Sequence, residues 1–407
     1  MRLRFFLLPV LAALAAPALA QLGLPQVQLP PTAGVLRDVT GAVAPLSRDA
    51  LRAADRLARD RIETIDRLVR KNRETIEFDA RGDPARRGEL LVMDADAAAM
   101  RRLGSAGFAI LANEELGELG LTVTRLAVPQ GMTLAEAEAT LAMLMPDATI
   151  TPDHLHFTSG TSGGAHLAVA AQASISPARV PVGMIDGAPG ESVAVASRKG
   201  FAKGAPYPSN HGSAVASLLQ QAGVRTIHVA DVYGTDPAGG NALAIAKGLG
   251  WLAGQGSRVV TISLVGPRNP VLERAIGAAR GKGVVVVAAV GNDGPAAPPA
   301  YPASYSGVVA VTAVDRRKRA LIEAGRALHL DYAAPGADIR GLNAKGKAVK
   351  LRGTSFAAPL VAARAAHALA HGANWRSALD SEAEDLGRKG ADEVYGRGLL
   401  CANCGRD

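Results

Sequence analysis

Along the second half of the chain, short apolar runs rich in β-branched residues alternate with stretches whose apolar positions recur at helical spacing. Residues 180–185, 224–229, 259–264, 284–290 and 308–314 are of the first kind, and 212–221, 242–253 and 269–282 of the second. Runs apolar at every position predict strands covered on both faces, and the intervening helices supply the covers. The pattern predicts an α/β domain over residues 179–400 built on a doubly wound, largely parallel sheet.

The first half reads differently. In residues 47–76, Leu51, Leu57, Ile62, Ile65, Leu68 and Val69 fall on one side at helical spacing and charges fill the other. This predicts one long amphipathic helix that docks on its neighbour. From residue 88 the order is strand (88–93), helix (97–103), two strands (108–111 and 121–128), a helix opened by Thr133 and Glu136 in capping-box spacing, and a strand at 148–151. That βαββαβ order predicts a small ferredoxin-like α+β domain over 88–157. Residues 158–178, rich in Gly, Ser, Thr and Ala, read as a flexible linker, within which the run 159–164 is linker composition.

The ends are of another kind. Arg2 and Arg4, an apolar run at 5–16 and Ala18-Leu19-Ala20 predict an export signal over 1–20 and a periplasmic or extracellular product. Residues 21–46 form a Pro-rich linker, and 47–87 carry the helix and its connection. No later run is apolar for long enough to span a membrane, so no stable membrane span is expected. Cys401 and Cys404, alone in the sequence and within a 401–407 tail, predict a local disulfide.

Net charge is +8, yet nine basic and five acidic residues lie in 48–73 alone and two more basic ones in the signal. The rest is nearly balanced, so no basic face and no nucleic-acid partner is implied.

Three residues carry candidate chemistry. Asp186 ends the 180–185 strand, where functional groups of such sheets collect. His211 stands where a helix opens in Asn210-His211-Gly212-Ser213-Ala214-Val215-Ala216, and Ser355 precedes a small-residue helix in Gly353-Thr354-Ser355-Phe356-Ala357-Ala358-Pro359. Each alone has an ordinary structural use as turn former, surface residue or cap. Together, in this order, they resemble the three motifs of the subtilisin-like serine peptidases, the subtilases. Residues 288–294 resemble the family's oxyanion-asparagine segment, and 262–266 its substrate-binding strand.

The resemblance implies a secreted serine endopeptidase acting on polypeptide substrates, with no cofactor and no metal. Ser355 would be nucleophile, His211 general base, Asp186 the group that orients His211, and Asn292 the oxyanion donor. Ser263, Leu264, Val265, Gly266, Ala289 and Gly291 would line the substrate site. Val265 replaces the family's usual Gly, which implies a crowded pocket. The chain after His211 is too short for the calcium loop of many relatives. The small domain would be a propeptide acting as intramolecular inhibitor, its end at 151–157 laid along 263–266. The rival reading is a catalytically silent peptide-binding module, or a self-inhibited sensor, on the same fold.

Overall fold

The computed structural model describes residues 48–159, 161–163 and 180–404. The expected signal (1–20), the Pro-rich linker (21–46) and most of the 158–178 linker lie outside the described residues.

Seven strands form the large sheet: β8 (Val182–Asp186), β9 (Ser197–Gly200), β10 (Ile227–Asp231), β11 (Val259–Ile262), β13 (Val285–Ala289), β14 (Val309–Val314) and β15 (Tyr332–Pro335). Their order is β15-β14-β13-β11-β8-β10-β9, and every pairing is parallel. Strands β8, β11, β13 and β14 are buried at every position, as their unbroken apolar runs require. Helices α4 (Asn210–Gln221) and α7 (Ala358–Ala370) bury their apolar faces in one cluster, with Val182, Met184, Val229 and Val287. On the opposite face α5 (Ala242–Gly254) and α6 (Pro270–Gly281) pack with Ile185, Val260, Ile262 and Val286. The sheet is therefore doubly wound, with successive residues of one strand feeding opposite clusters.

The small domain contains β2 (Pro84–Met93), α2 (Ala97–Arg102), β3 (Ala109–Glu115), β4 (Thr122–Ala127), α3 (Leu134–Leu144) and β5 (Thr149–His154). The order β3-β4-β2-β5, antiparallel throughout, is that of a ferredoxin-like sheet. The capping box at Thr133 and Glu136 is formed. A strand not expected from the sequence, β1 (Ile76–Phe78), pairs with the start of β2. Consequently helix α1 (Arg48–Lys71) ends before residue 76. Ile76 is fully buried with Val69 and Leu155, and that burial outweighs the helical periodicity that carried the prediction past residue 71.

The small domain docks on the N-termini of α5 and α6. Leu243 N–H donates to Asp153 Oδ1 (3.0 Å), and Asn269 Nδ2 donates to the Pro152 carbonyl (2.9 Å). A carboxylate at a helix N-terminus is favoured by the unpaired N–H groups there. Burial nonetheless pushes the Asp153 carboxyl up to about 6, against the Leu243 hydrogen bond and the Arg86 charge. His156, fully buried beside it, is held down to about 3 by desolvation and by the nearby His154.

Beyond β5 the chain is not the plain connection expected. Residues β6 (Phe157–Thr158) and β7 (Thr161–Gly163) are strands, because each meets an unpaired edge of the large domain. Among the described residues no helix is long and apolar enough to cross a membrane. Cys401 and Cys404 are disulfide-bonded.

Candidate active site

Asp186 is the last residue of the interior strand β8. From β8 the chain proceeds to β9 and β10 on one side and then to β11 on the other, so the crevice at this strand end is a topological switch point. Ser209 caps α4 through its hydroxyl, which accepts from Gly212 N–H (3.1 Å). A Cβ on Gly212 would lie 1.9 Å from the Gly187 carbonyl oxygen. Only glycine lets the helix start press onto the turn after Asp186. That contact delivers His211, in the first turn, to the carboxylate: Nδ1 lies 2.8 Å from Oδ2 and 3.0 Å from Oδ1. Asp186 is fully buried, and its Oδ1 also accepts from Gly187 N–H (2.7 Å).

Ser355 sits in a turn of 3-10 helix, Thr354–Phe356, just before α7. Gly353 precedes it with φ 138°, a conformation open to glycine and strained for other residues. Two clamps fix this loop. Thr354 N–H donates to Asn292 Oδ1 (2.9 Å), and the Thr354 hydroxyl bonds the Gly291 backbone at 3.0 Å. With Oδ1 of Asn292 occupied in this way, its amide NH2 is the end left to donate. Ser263 Oγ donates to the Ser355 carbonyl (2.8 Å), tying the loop to the substrate strand. The Phe356 ring lies 5.3 Å from the His211 ring and closes the site from the protein side.

The cleft is filled by the chain itself. Phe157 and Thr158 pair antiparallel with Val265 and Leu264 of β12 (Leu264–Val265). Ser355 N–H donates to the Ser159 carbonyl oxygen (3.1 Å), and Ser159 Oγ lies 2.6 Å from Ser355 Oγ. Ser355 Oγ also donates to the Ser263 carbonyl (3.0 Å). His211 Nε2 is buried and has no hydrogen-bond partner among the described residues. Past Ser159, β7 pairs antiparallel with β17 (Ala348–Arg352), the strand leading into the Ser355 loop. The assembled site thus has a histidine held by a buried carboxylate, a serine hydroxyl bonded to Ser263 and Ser159, and a backbone N–H donating to a carbonyl oxygen.

A model of the subtilase family, described as Peptidase_S8, matches residues 191–398. The chain belongs to the subtilase family. Subtilisin BL of Lederbergia lenta is 34% identical over 182 residues, covering 43% of this chain and 66% of that protein. Thermitase of Thermoactinomyces vulgaris is 33% identical over 193 residues, covering 46% of this chain and 67% of that protein. The chain thus spans about two thirds of the length of these subtilases. The crystal structure of fervidolysin from Fervidobacterium pennivorans superposes with TM-score 0.65 at 17% identity, covering 81% of this chain and 62% of that one. This likeness speaks for the fold.

The four residues singled out by motif, Asp186, His211, Asn292 and Ser355, are gathered at one end of the subtilase sheet. Val265 faces Gly291: a Cβ there would lie 3.3 Å from Val265 Cγ1. Gly266 is needed for space, since a Cβ would strike the His156 ring at 2.7 Å. Ala289 differs from expectation, because its side chain is buried in the main core beneath the sheet rather than on the cleft wall.

Sequence reasoning missed Ser159 and Thr354, and it predicted α1 as a docking helix without placing it over the cleft. The polar-small repeat from Thr158 to Gly163 was the available signal for the first, and its composition is equally that of a linker. Helix α1 roofs a cavity of about 1180 Å³ above the cleft, lined by its Leu57, Arg61 and Ile65 together with Val265, Asn292 and Tyr301. Arg61 Nε donates to Asp293 Oδ2 (3.0 Å), and Leu57 lies over Gly294.

Proposed function

We propose that the protein is an exported serine endopeptidase, made as a precursor whose residues 88–157 form a propeptide seated in its own cleft. One observation carries the reading: a carbonyl oxygen of an extended segment is bound by Ser355 N–H, while the ring of the next residue, Phe356, lies 5.3 Å from that of His211, whose Nδ1 is held by buried Asp186. Hydrolysis requires these parts and little else. A serine hydroxyl is a weak nucleophile until an imidazole accepts its proton. In this reading the Ser355 hydroxyl turns from the Ser263 carbonyl toward His211 Nε2 and attacks the bound carbonyl carbon. Asp186 keeps Nδ1 protonated and stabilises the imidazolium without taking the proton. The oxyanion receives Ser355 N–H and the Asn292 amide. The acyl-enzyme is then hydrolysed by water with His211 acting in reverse.

Polypeptides suit the cleft because β12 offers an edge to an extended chain, as it does to Phe157 and Thr158. Export is supported by the signal-like N-terminal sequence. The second reading, a silent or self-inhibited module, is favoured by a single observation, that Ser355 bonds Ser263 and Ser159 rather than His211. The two part on one experiment. A fluorophosphonate probe applied to the chain after removal of residues preceding the catalytic domain labels Ser355 if it is an activated nucleophile. Absence of label, with Ser355→Ala as the blank, sinks the endopeptidase reading.

A further inference from the structure

We propose that His367 and His371, at the end of α7, form a binding site for one divalent transition-metal ion of the kind that prefers nitrogen ligands, Cu2+ or Zn2+. The inference lies outside the hydrolytic reading and does not depend on it.

Side chains four apart on a helix lie on one face, and two histidines so spaced can hold one ion between them. Here that placement is realised. The two imidazole rings stack with centroids 4.6 Å apart and planes inclined by 22°. His371 is exposed and His367 half-buried, so the pair is reached from solvent. A shared ion requires ligating nitrogens about 3 Å apart, each about 2 Å from the metal. Turning one ring about its Cβ–Cγ bond takes the pair from stacked to convergent, and that torsion is a soft one.

The tautomer of His371 suits a ligand. Its Nδ1 lies 2.8 Å from the His367 carbonyl oxygen, which can only accept, so Nδ1 carries the proton and Nε2 bears the lone pair. Histidines that bind metals commonly donate their other ring nitrogen in this way, which fixes the ring and raises its basicity. His367 likewise has two ring nitrogens, and a hydrogen bond at one leaves the other to ligate.

The local charge favours a cation. His371 is the cap residue of α7, and Gly372, with φ 69°, turns the chain away. The last carbonyls of a helix carry partial negative charge, which attracts positive charge to its final turn. Arg364, on the preceding turn, is paired at 2.7 Å with Glu382 of α8 (Trp375–Glu382), so its charge is offset. Imidazole nitrogens select copper and zinc over calcium and magnesium, which take oxygen ligands. Among the described residues no group of three side chains gathers to hold a metal. The pair therefore makes an open site whose remaining positions go to water. The 13 residues of α7 span roughly 20 Å, which keeps the ion away from Ser355 and makes it a clamp on the helix end rather than a reactant.

The test uses the full-length Ser355→Ala chain, stripped with chelator, so that hydrolysis plays no part. Cu2+ is titrated calorimetrically and its ligation read by electron paramagnetic resonance, and thermal melts are run with and without Zn2+. The expected result is one tight Cu2+ equivalent bound through two nitrogens, and a melting temperature raised by Zn2+. His367→Gln and His371→Gln should each weaken that equivalent at least ten-fold and abolish the rise. Because His371 is exposed, His371→Gln decides the matter even if His367→Gln does not fold. A helix cap alone predicts that His371→Gln lowers the melting temperature equally with and without Zn2+ and leaves Cu2+ affinity unchanged. That result overturns the proposal, as does a loss of less than ten-fold in His371→Gln.

Discussion

The large sheet and the N-terminal region before it are built on opposite terms. Strands β8, β11, β13 and β14 are buried at every position, and the chemistry hangs from their ends and from glycine-mediated contacts such as Gly212 against Gly187. In the small domain, β3 is exposed or half-exposed throughout, with Ile110 and Leu111 about half exposed. Helix α1 meets the rest of the molecule through apolar residues, Leu57 against Gly294 and Ile65, Leu68 and Val69 around Ile76 and Leu155, and through ion pairs such as the half-exposed Arg61–Asp293. The sheet therefore holds its side chains in fixed relation, as a pre-organised site demands. The N-terminal region is attached through a broad interface: Leu91, Met93, Leu116, Leu119 and Val123 are buried in one cluster with α5 and α6, and Arg86–Asp236, Lys247–Glu114 and the Asp153 hydrogen bond to Leu243 N–H join the two parts.

The sharpest way to break this contrast is to remove single groups from the sheet end. Ser355→Ala or His211→Ala should each lower kcat of the processed enzyme by about 10⁶-fold, a magnitude known for subtilisin itself, with the melting temperature little changed. Asn292→Ala should cost about 100- to 1,000-fold in kcat, again the scale of the subtilisin asparagine. Its Oδ1 also accepts from Thr354 N–H, so a larger loss with a lowered melting temperature would mean that Asn292 holds the loop rather than the oxyanion. Rates on a chromogenic peptide, with a thermal melt alongside, measure both.

The interface is probed by pH. The Asp153 pKa in the fold is about 6 against 3.8 ordinarily, so the folded state binds the proton more tightly than the unfolded chain. Its contribution is most favourable below pH 3.8 and is lost as pH rises through 6, amounting to about 3 kcal/mol of destabilisation at neutrality. His156, held at about 3 against 6.5, works oppositely: its contribution is complete above 6.5 and is lost as pH falls toward 3. Between about pH 4 and 6 the two slopes cancel. Asp153→Asn in the Ser355→Ala precursor removes one of them. The variant should gain up to about 3 kcal/mol over its parent at pH 7.5 and then lose about 1.4 kcal/mol per pH unit below 6.5. Urea unfolding at pH 7.5 and 5 reads the difference, and parallel pH profiles for parent and variant would break the account.

The smallest effect concerns α1. A half-exposed ion pair contributes little, and Leu57 is only partly buried. Arg61→Ala with Leu57→Ala should weaken docking by about 1 kcal/mol, raising hydrogen exchange in α1 about five-fold. Exchange in β8, β11 and β13 should stay put. Equal acceleration in those strands would show that α1 is integral to the catalytic core.

What was legible from the sequence alone divides along the same line. Asp186, His211, Asn292 and Ser355 were picked out as a set by their resemblance to the subtilase motifs, since each alone has an ordinary structural use. The parallel sheet was legible because a strand covered on both faces must be apolar at every position, and the βαββαβ order because capping boxes and period changes are local. The long-range pairings were not. Nothing in Ile76 separates a helix end from a strand that pairs with residues eight to ten positions on, and Ala289 could be cleft or core until the sheet was packed. Above all, the chain around Phe157–Thr158 and Thr161–Gly163 has the composition of a linker. These two pieces are strands only because β12 and β17, more than a hundred residues away, present unpaired edges to them. Local sequence sets which conformations a segment can adopt, whereas an edge hydrogen bond depends on a partner that exists only once the chain has folded.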